Sequence, residues 1–188
     1  TIAKGASKKL GFIYVDTGAL YRSVAYYVLK NGKDASLESD VLPFLDEISV
    51  DLKFIDGEQR VFVNEEDVSD KIRTPEVSMG SSAVSAIPKV RDFLFELQRK
   101  IAQENDVIMD GRDIGTVVLP NADLKIFVTA TPEERAKRRY NELRDKENSP
   151  TYEKILADIK IRDYNDSSRA VAPLKQADDA ILFDTTGL

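Results

Sequence analysis

Two short apolar runs, each closed by an aspartate and a glycine, constrain the fold of this chain more than any other feature. The first, residues 12–15, runs into Asp16-Thr17-Gly18, and the second, Val107-Ile108-Met109, runs into Asp110-Gly111-Arg112. Apolar runs this short, bounded by turn residues, read as buried strands. Two helical patterns flank the first. Ile2, Ala3, Ala6 and Leu10 fall at helical spacing with Gly11 where a helix C-terminus favours it, and residues 19–30 form a helical stretch stopped by Asn31-Gly32. Helix, strand, helix is the rhythm of a parallel α/β sheet. Ligands of open α/β sheets bind beyond the carboxyl ends of the strands, so the two aspartates, with Arg22 and Arg112 close behind them, stand at the expected mouth of a site.

The rhythm breaks between residues 48 and 64. There Ile48, Val50, Leu52 and Phe54 alternate with polar residues, Asp56-Gly57 offers a turn, and Val61 and Val63 resume the pattern, which predicts a small antiparallel hairpin inserted into the α/β unit. Pro88 opens an amphipathic helix carrying Val90, Phe93, Leu94, Leu97 and Ile101 on one face. Residues 124–128 read as another buried strand, followed by Thr131-Pro132-Glu133-Glu134, a capping box with Pro at the first helical position. A further helix is expected from Ser149-Pro150, and a last strand over residues 181–183. No repeat, linker or low-complexity tract interrupts the chain. An α/β unit that opens on a helix leaves its first strand and the following turn, a common phosphate-binding element, outside the sequence.

At 188 residues the chain suits one domain, burying roughly 70% of its unfolded surface. The absence of Cys and His removes thiol nucleophiles, disulfides, histidine bases and the ordinary zinc ligands. Chemistry then falls to carboxylates, hydroxyls, Lys and Arg, and the fitting metal is a hard cation such as Mg²⁺ carried in on substrate phosphates. A net charge of −6 argues against a general nucleic-acid surface. No apolar run approaches the ~20 residues of a membrane span. The first residue is Thr rather than Met, so any targeting segment falls outside this stretch.

Asp110, directly after its apolar run, has the form of a Walker B acid that orients Mg²⁺ through a coordinated water; a tight Asp-Gly turn with a solvated arginine fits the same residues. Arg162, Asp166 and Arg169 share one helical face if a helix reaches that far, an arrangement equally compatible with a surface salt-bridge ladder. Arg135, Arg138 and Arg139, with Arg144 nearby, gather on the helix after Thr131, where a solvated basic face is the plain alternative. Arg73, Ser82 and Arg91 flank the hairpin, and nothing local singles them out.

Taken together these runs resemble bacterial-type cytidylate kinase, a P-loop nucleoside monophosphate kinase family. The resemblance rests on Thr1-Ile2-Ala3-Lys4, on Tyr14-Val15-Asp16-Thr17-Gly18-Ala19-Leu20-Tyr21-Arg22, on the run from Met109 through Asp110-Gly111-Arg112-Asp113-Ile114-Gly115 to Pro120, and on Arg169-Ala170-Val171-Ala172-Pro173-Leu174, four separated runs in the family's order. It implies a P-loop NTPase-type parallel α/β sheet of about five strands, counting one outside the sequence, with helices on both faces. It also implies one kinase domain: a core of about residues 1–35, 105–131 and 165–188, a hairpin-containing monophosphate-binding insert of about 36–104, and a short lid of about 132–164. The implied acceptor site takes CMP or dCMP. Thr17, Tyr21, Arg22 and Arg112 match the phosphate contacts, Ser82, Arg91, Asp113 and Arg169 the cytosine contacts, and Arg162 and Asp166 the ribose contacts. Arg135, Arg138 and Arg139 look like lid arginines that close over the transferring group. The implied donor and metal are ATP and Mg²⁺, and the implied state is a cytoplasmic monomer acting on small nucleotides, with no membrane or nucleic-acid polymer as partner.

The chemistry is coherent with that residue set. Phosphoryl transfer to a phosphate acceptor consists mostly of alignment and charge neutralisation, a task suited to the bidentate, permanently charged guanidinium, and no general base is required. Cytosine offers an exocyclic amine where uracil offers an acceptor, so a carboxylate or hydroxyl aimed there, from Asp113 or Ser82, tells them apart. The family's Gly-rich Walker A loop should lie just ahead of Ile2 and is not in the sequence. Thr1 could be the last hydroxyl of that motif or a plain helix N-cap. Two readings of different class therefore stay open: an enzyme whose loop and terminal helix lie outside this stretch, and a catalytically silent nucleotide-binding fragment. Within enzymes, a kinase for another small acceptor such as UMP is the second reading.

Overall fold

The computed structural model describes residues 2–145 and 149–188, and they gather into two compact units that meet in sequence at Ile114 and Gly115. In the first unit, helix α1 (Ile2–Leu10) ends at Gly11, whose φ of +71° is the left-handed conformation that closes a helix without a Cβ penalty. Strand β1 (Ile13–Asp16) and helix α2 (Gly18–Lys30) follow as expected. The insert then comprises α3 (Glu38–Leu45), β2 (Val50–Ile55), β3 (Glu58–Val63), β4 (Glu66–Asp67), a 3₁₀ turn and α4 (Pro75–Val84). Helix α5 (Pro88–Glu104) returns the chain to β5 (Val107–Asp110), which pairs in parallel with β1.

The insert is larger than a hairpin. Asp56 and Gly57 both take positive φ, as a two-residue type I′ turn demands, but a second such turn at Asn64 and Glu65 adds β4 and makes a three-stranded antiparallel sheet. Glu65 is a poor candidate for positive φ, which hides this turn from sequence patterning. Tertiary hydrogen bonds hold it instead: Ser49 N–H donates to the Asn64 side-chain oxygen at 2.8 Å and Asn64 N–H to Ser49 O at 3.0 Å. The core of this unit packs α2 against α4 and α5 and takes Val50, Val61 and Val63 from the insert sheet. Gly80 lets α4 approach closely, since a Cβ there would lie 3.2 Å from that of Ala25 and 3.3 Å from that of Ala35.

The second unit contains β6 (Ile126–Thr129), α6 (Pro132–Leu143), α7 (Tyr152–Ser168) and β7 (Ile181–Asp184), with β6 and β7 parallel in register. Only half of the expected capping box forms: the Thr131 hydroxyl accepts from Glu134 N–H at 3.2 Å, but Thr131 N–H donates to the Thr186 hydroxyl at 3.1 Å and the Glu134 carboxylate turns to Arg138 instead. Two expectations need correction. The last helix starts at Tyr152 rather than at Ser149-Pro150, because the Thr151 hydroxyl accepts from Lys154 N–H and makes Thr151 the cap. The strand expected to be buried is not: Ile126 is 52% and Val128 55% exposed, because α6 and α7 pack chiefly on each other rather than over the strands. The described residues thus supply four parallel strands as two pairs, in a mixed α/β architecture consistent with a P-loop NTPase-type kinase.

Candidate active site

Strands β1 and β5 end side by side, with Asp16 the register partner of Asp110. The turn after β1 is tied to the neighbouring strand, since Thr17 N–H and the Thr17 hydroxyl both donate to the Asp110 carbonyl, at 3.0 and 2.8 Å. Gly111 makes that approach possible: a Cβ there would lie 2.4 Å from the Thr17 hydroxyl oxygen and 2.7 Å from Ile114. Thr17 is buried and sits at the N-terminus of α2, the end of a helix that favours anions. One turn on, Arg22 donates to the Asp16 carboxylate at 2.6 Å, while its Nε, buried, has no hydrogen-bond partner among the described residues.

Asp110 is exposed as a residue, but its carboxyl is hemmed in at the strand end. That desolvation first, and the Asp16 charge second, raise its pKa above the ordinary carboxylate value, while a hydrogen bond from the Tyr14 hydroxyl at 3.1 Å and the Arg112 and Arg22 charges pull it down. Two adjacent carboxylates, one reluctant to ionise, are a donor set that a hard cation relieves, and in that respect Asp110 fits the Mg²⁺ role. Among the described residues no group of three or more acidic side chains is placed to hold a metal ion.

A second cluster lies deeper. Asp113 and Arg91, both buried, form an ion pair; Arg91 also donates to the Ser85 carbonyl at 3.2 Å, and its guanidinium carbon stands 5.7 Å from the centre of the Tyr21 ring. Ser82 is buried one turn before Ser85 on α4. The first unit therefore brings together Thr17, Tyr21, Arg22, Arg91, Asp110 and Asp113, residues separated by up to 96 positions. Arg112, between the two acids, is exposed.

The remaining candidates belong to the second unit. Helix α7 does reach residues 162 and 166: Asp166 is buried and its carboxylate lies 3.8 Å from Arg162 Nε, so the pair is no surface ladder. Arg169 stands just beyond the helix in extended backbone and donates to the Ala172 carbonyl at 2.7 Å, bracing the turn where Ala172 takes a φ of +47°. The arginines of α6 are engaged. Arg135 grips Asp163 with two hydrogen bonds, at 2.9 and 2.5 Å, which raises its pKa; Arg138 binds Glu134 at 2.9 Å and the Thr185 carbonyl at 2.5 Å; Arg139 pairs with Glu142 at 3.0 Å. Thr1 lies outside the described residues.

Sequence patterning missed two residues at the strand ends. The Tyr14 hydroxyl reaches Asp110 across 96 positions, and Gln59, in the insert, hydrogen-bonds the backbone of Asp16. Neither has a local signal. Helix α4 did have one, Thr74-Pro75, the same cap and proline found at Thr131-Pro132. No helix of the described residues is long and apolar enough to cross a membrane.

The family model for cytidylate kinase matches residues 1–188. Among similar proteins, the cytidylate kinase of Caldicellulosiruptor bescii is 50% identical over 188 residues, covering 100% of this chain and 83% of its own length. That of Lactobacillus johnsonii is 48% identical over 188 residues, covering 100% and 82%, and that of Streptococcus equi subsp. zooepidemicus 49% over 189 residues, covering 100% and 84%. With strand-end acids, a buried arginine–aspartate pair and a capped arginine helix on an α/β frame, the chain belongs to the cytidylate kinase family of nucleoside monophosphate kinases.

Proposed function

We propose that this protein transfers the terminal phosphoryl group of ATP to CMP or dCMP, as a cytoplasmic monomer acting on small nucleotides. The observation that carries the reading is the buried Asp113–Arg91 pair beside the Tyr21 ring. A buried carboxylate accepts from the exocyclic amine of cytosine and meets only another acceptor in uracil, and the guanidinium answers the ring's acceptor atoms. A site that leaves such groups unpaired rejects the wrong base strongly. Membership of the cytidylate kinase family supports the same acceptor.

In the reaction an oxygen of the CMP phosphate attacks the terminal phosphorus of ATP, the bond from that phosphorus to the bridging oxygen breaks, and ADP leaves. Thr17, Arg22 and Arg112 hold the acceptor phosphate at the strand ends and the N-terminus of α2, with Tyr21 beside them. Ser82, Arg91, Asp113 and Arg169 hold the base, and Arg162 and Asp166 the ribose. Arg135, Arg138 and Arg139 neutralise charge on the transferring group, for which Arg135 and Arg138 must exchange their present partners, Asp163 and Thr185. Asp110 would hold Mg²⁺ through water, and the ion supplies further charge neutralisation on the phosphate oxygens.

The full-length protein incubated with CMP, ATP and Mg²⁺ should form CDP and ADP in equal amounts, followed by chromatography. ADP without CDP, or neither product, overturns the reading.

A further inference from the structure

In β1 the residues alternate in the side to which they turn their backbone groups. Ile13 N–H donates to Asp106 O at 2.9 Å and Thr17 N–H to Asp110 O at 3.0 Å, toward β5, so the N–H and C=O of Asp16 face the other way, away from β5. There the Gln59 carboxamide takes the place of a neighbouring strand: Asp16 N–H donates to Gln59 Oε1 at 2.7 Å and Gln59 Nε2 donates to Asp16 O at 3.2 Å. Gln59 belongs to β3, two residues past the Asp56-Gly57 turn. One side chain of the insert thus satisfies both backbone groups of the residue whose carboxylate holds Arg22.

We propose that Gln59 is a positioning residue for the acceptor phosphate, coupling the three-stranded insert to the turn that carries Thr17 and Arg22. The proposal rests on the reading of that turn as the acceptor-phosphate site. Asp16 is fixed from two sides, by β5 through Thr17 and by the insert through Gln59, and its carboxylate sets the direction of Arg22. Removing the Gln59 clamp lets the Asp16 backbone shift and takes Arg22 with it. Small misplacements at a phosphoryl acceptor are costly, because catalysis there is alignment.

The test uses the full-length protein, wild type and Gln59→Ala, with Gln59→Met as a second variant that keeps the side chain's length and loses both hydrogen bonds. The expected result is a fall of about tenfold in kcat/KM for CMP with the KM for ATP unchanged. Inhibition by cytidine, which has the base and sugar but no phosphate, should stay as in wild type, a split that general loosening would not produce. Should the alanine variant fail to fold, the methionine variant carries the same readings. Variants that match an active wild type within about twofold, or that lose CMP and cytidine equally, overturn the inference alone. A wild-type protein that forms no CDP overturns the function on which it rests, and the inference with it.

Discussion

Asp16 and Asp110 stand opposite each other in register at the carboxyl ends of two parallel strands, one bound to Arg22 and the other to the Tyr14 hydroxyl. The two carboxylates do different work because their surroundings differ. Asp16 has a guanidinium at 2.6 Å, whereas Asp110 is desolvated and faces its neighbour's charge.

Asp110→Asn therefore raises the thermal midpoint of the nucleotide-free protein near neutral pH while lowering turnover. The folded protein holds the Asp110 proton more tightly than the unfolded chain does. Its contribution is thus most favourable at low pH and is lost as pH rises from the ordinary carboxylate value through the raised one. The Asn variant keeps the acceptor for Tyr14 and should not show that loss. Midpoints of both proteins measured across the acid range check it; a variant no more stable than wild type at neutral pH contradicts it.

Arg91→Ala removes the guanidinium that pairs with the buried Asp113 carboxylate and should cost about 3–5 kcal/mol in urea unfolding. Replacing both residues by apolar ones of similar volume should recover most of that stability and none of the activity. A single variant of wild-type stability would show that Asp113 has other sufficient partners.

Arg112→Ala should depress turnover by about 10²-fold, since the exposed guanidinium at the end of β5 is assigned to charge that develops during transfer. Stability should change little. Steady-state kinetics and a melting curve together decide it, and an unchanged kcat would demote Arg112 to a surface charge.

Asp166→Ala should raise the KM for CMP about tenfold with a smaller change in kcat, because the assigned partner is sugar rather than phosphate. Asp166 is buried beside Arg162, so circular dichroism must accompany the kinetics. A normal KM in a folded variant would make the pair purely structural.

Much of the frame was legible because it is local. The apolar runs ending in Asp16 and Asp110, the cap at Thr131, the helix-opening Pro88, and the Asp56-Gly57 turn each carry their instruction within a few residues. What was not legible depends on distant partners. The turn at Asn64-Glu65 is held by hydrogen bonds exchanged between Asn64 and Ser49, and the exposure of Ile126 and Val128 goes with helices that pack on each other. The site divides in the same way. Strand-end position pointed to Asp16, Asp110 and Arg112, but the pairing of Arg91 with Asp113 lies 22 residues apart and Gln59 reaches Asp16 across 43.

The central claim, that the buried Asp113–Arg91 pair selects cytosine, is tested most directly by kcat/KM for CMP and for UMP with saturating ATP and Mg²⁺. The account predicts a preference for CMP that can reach the order of 10⁴ for a site whose buried polar groups are left unpaired by the wrong base. Comparable values for CMP and UMP would contradict it.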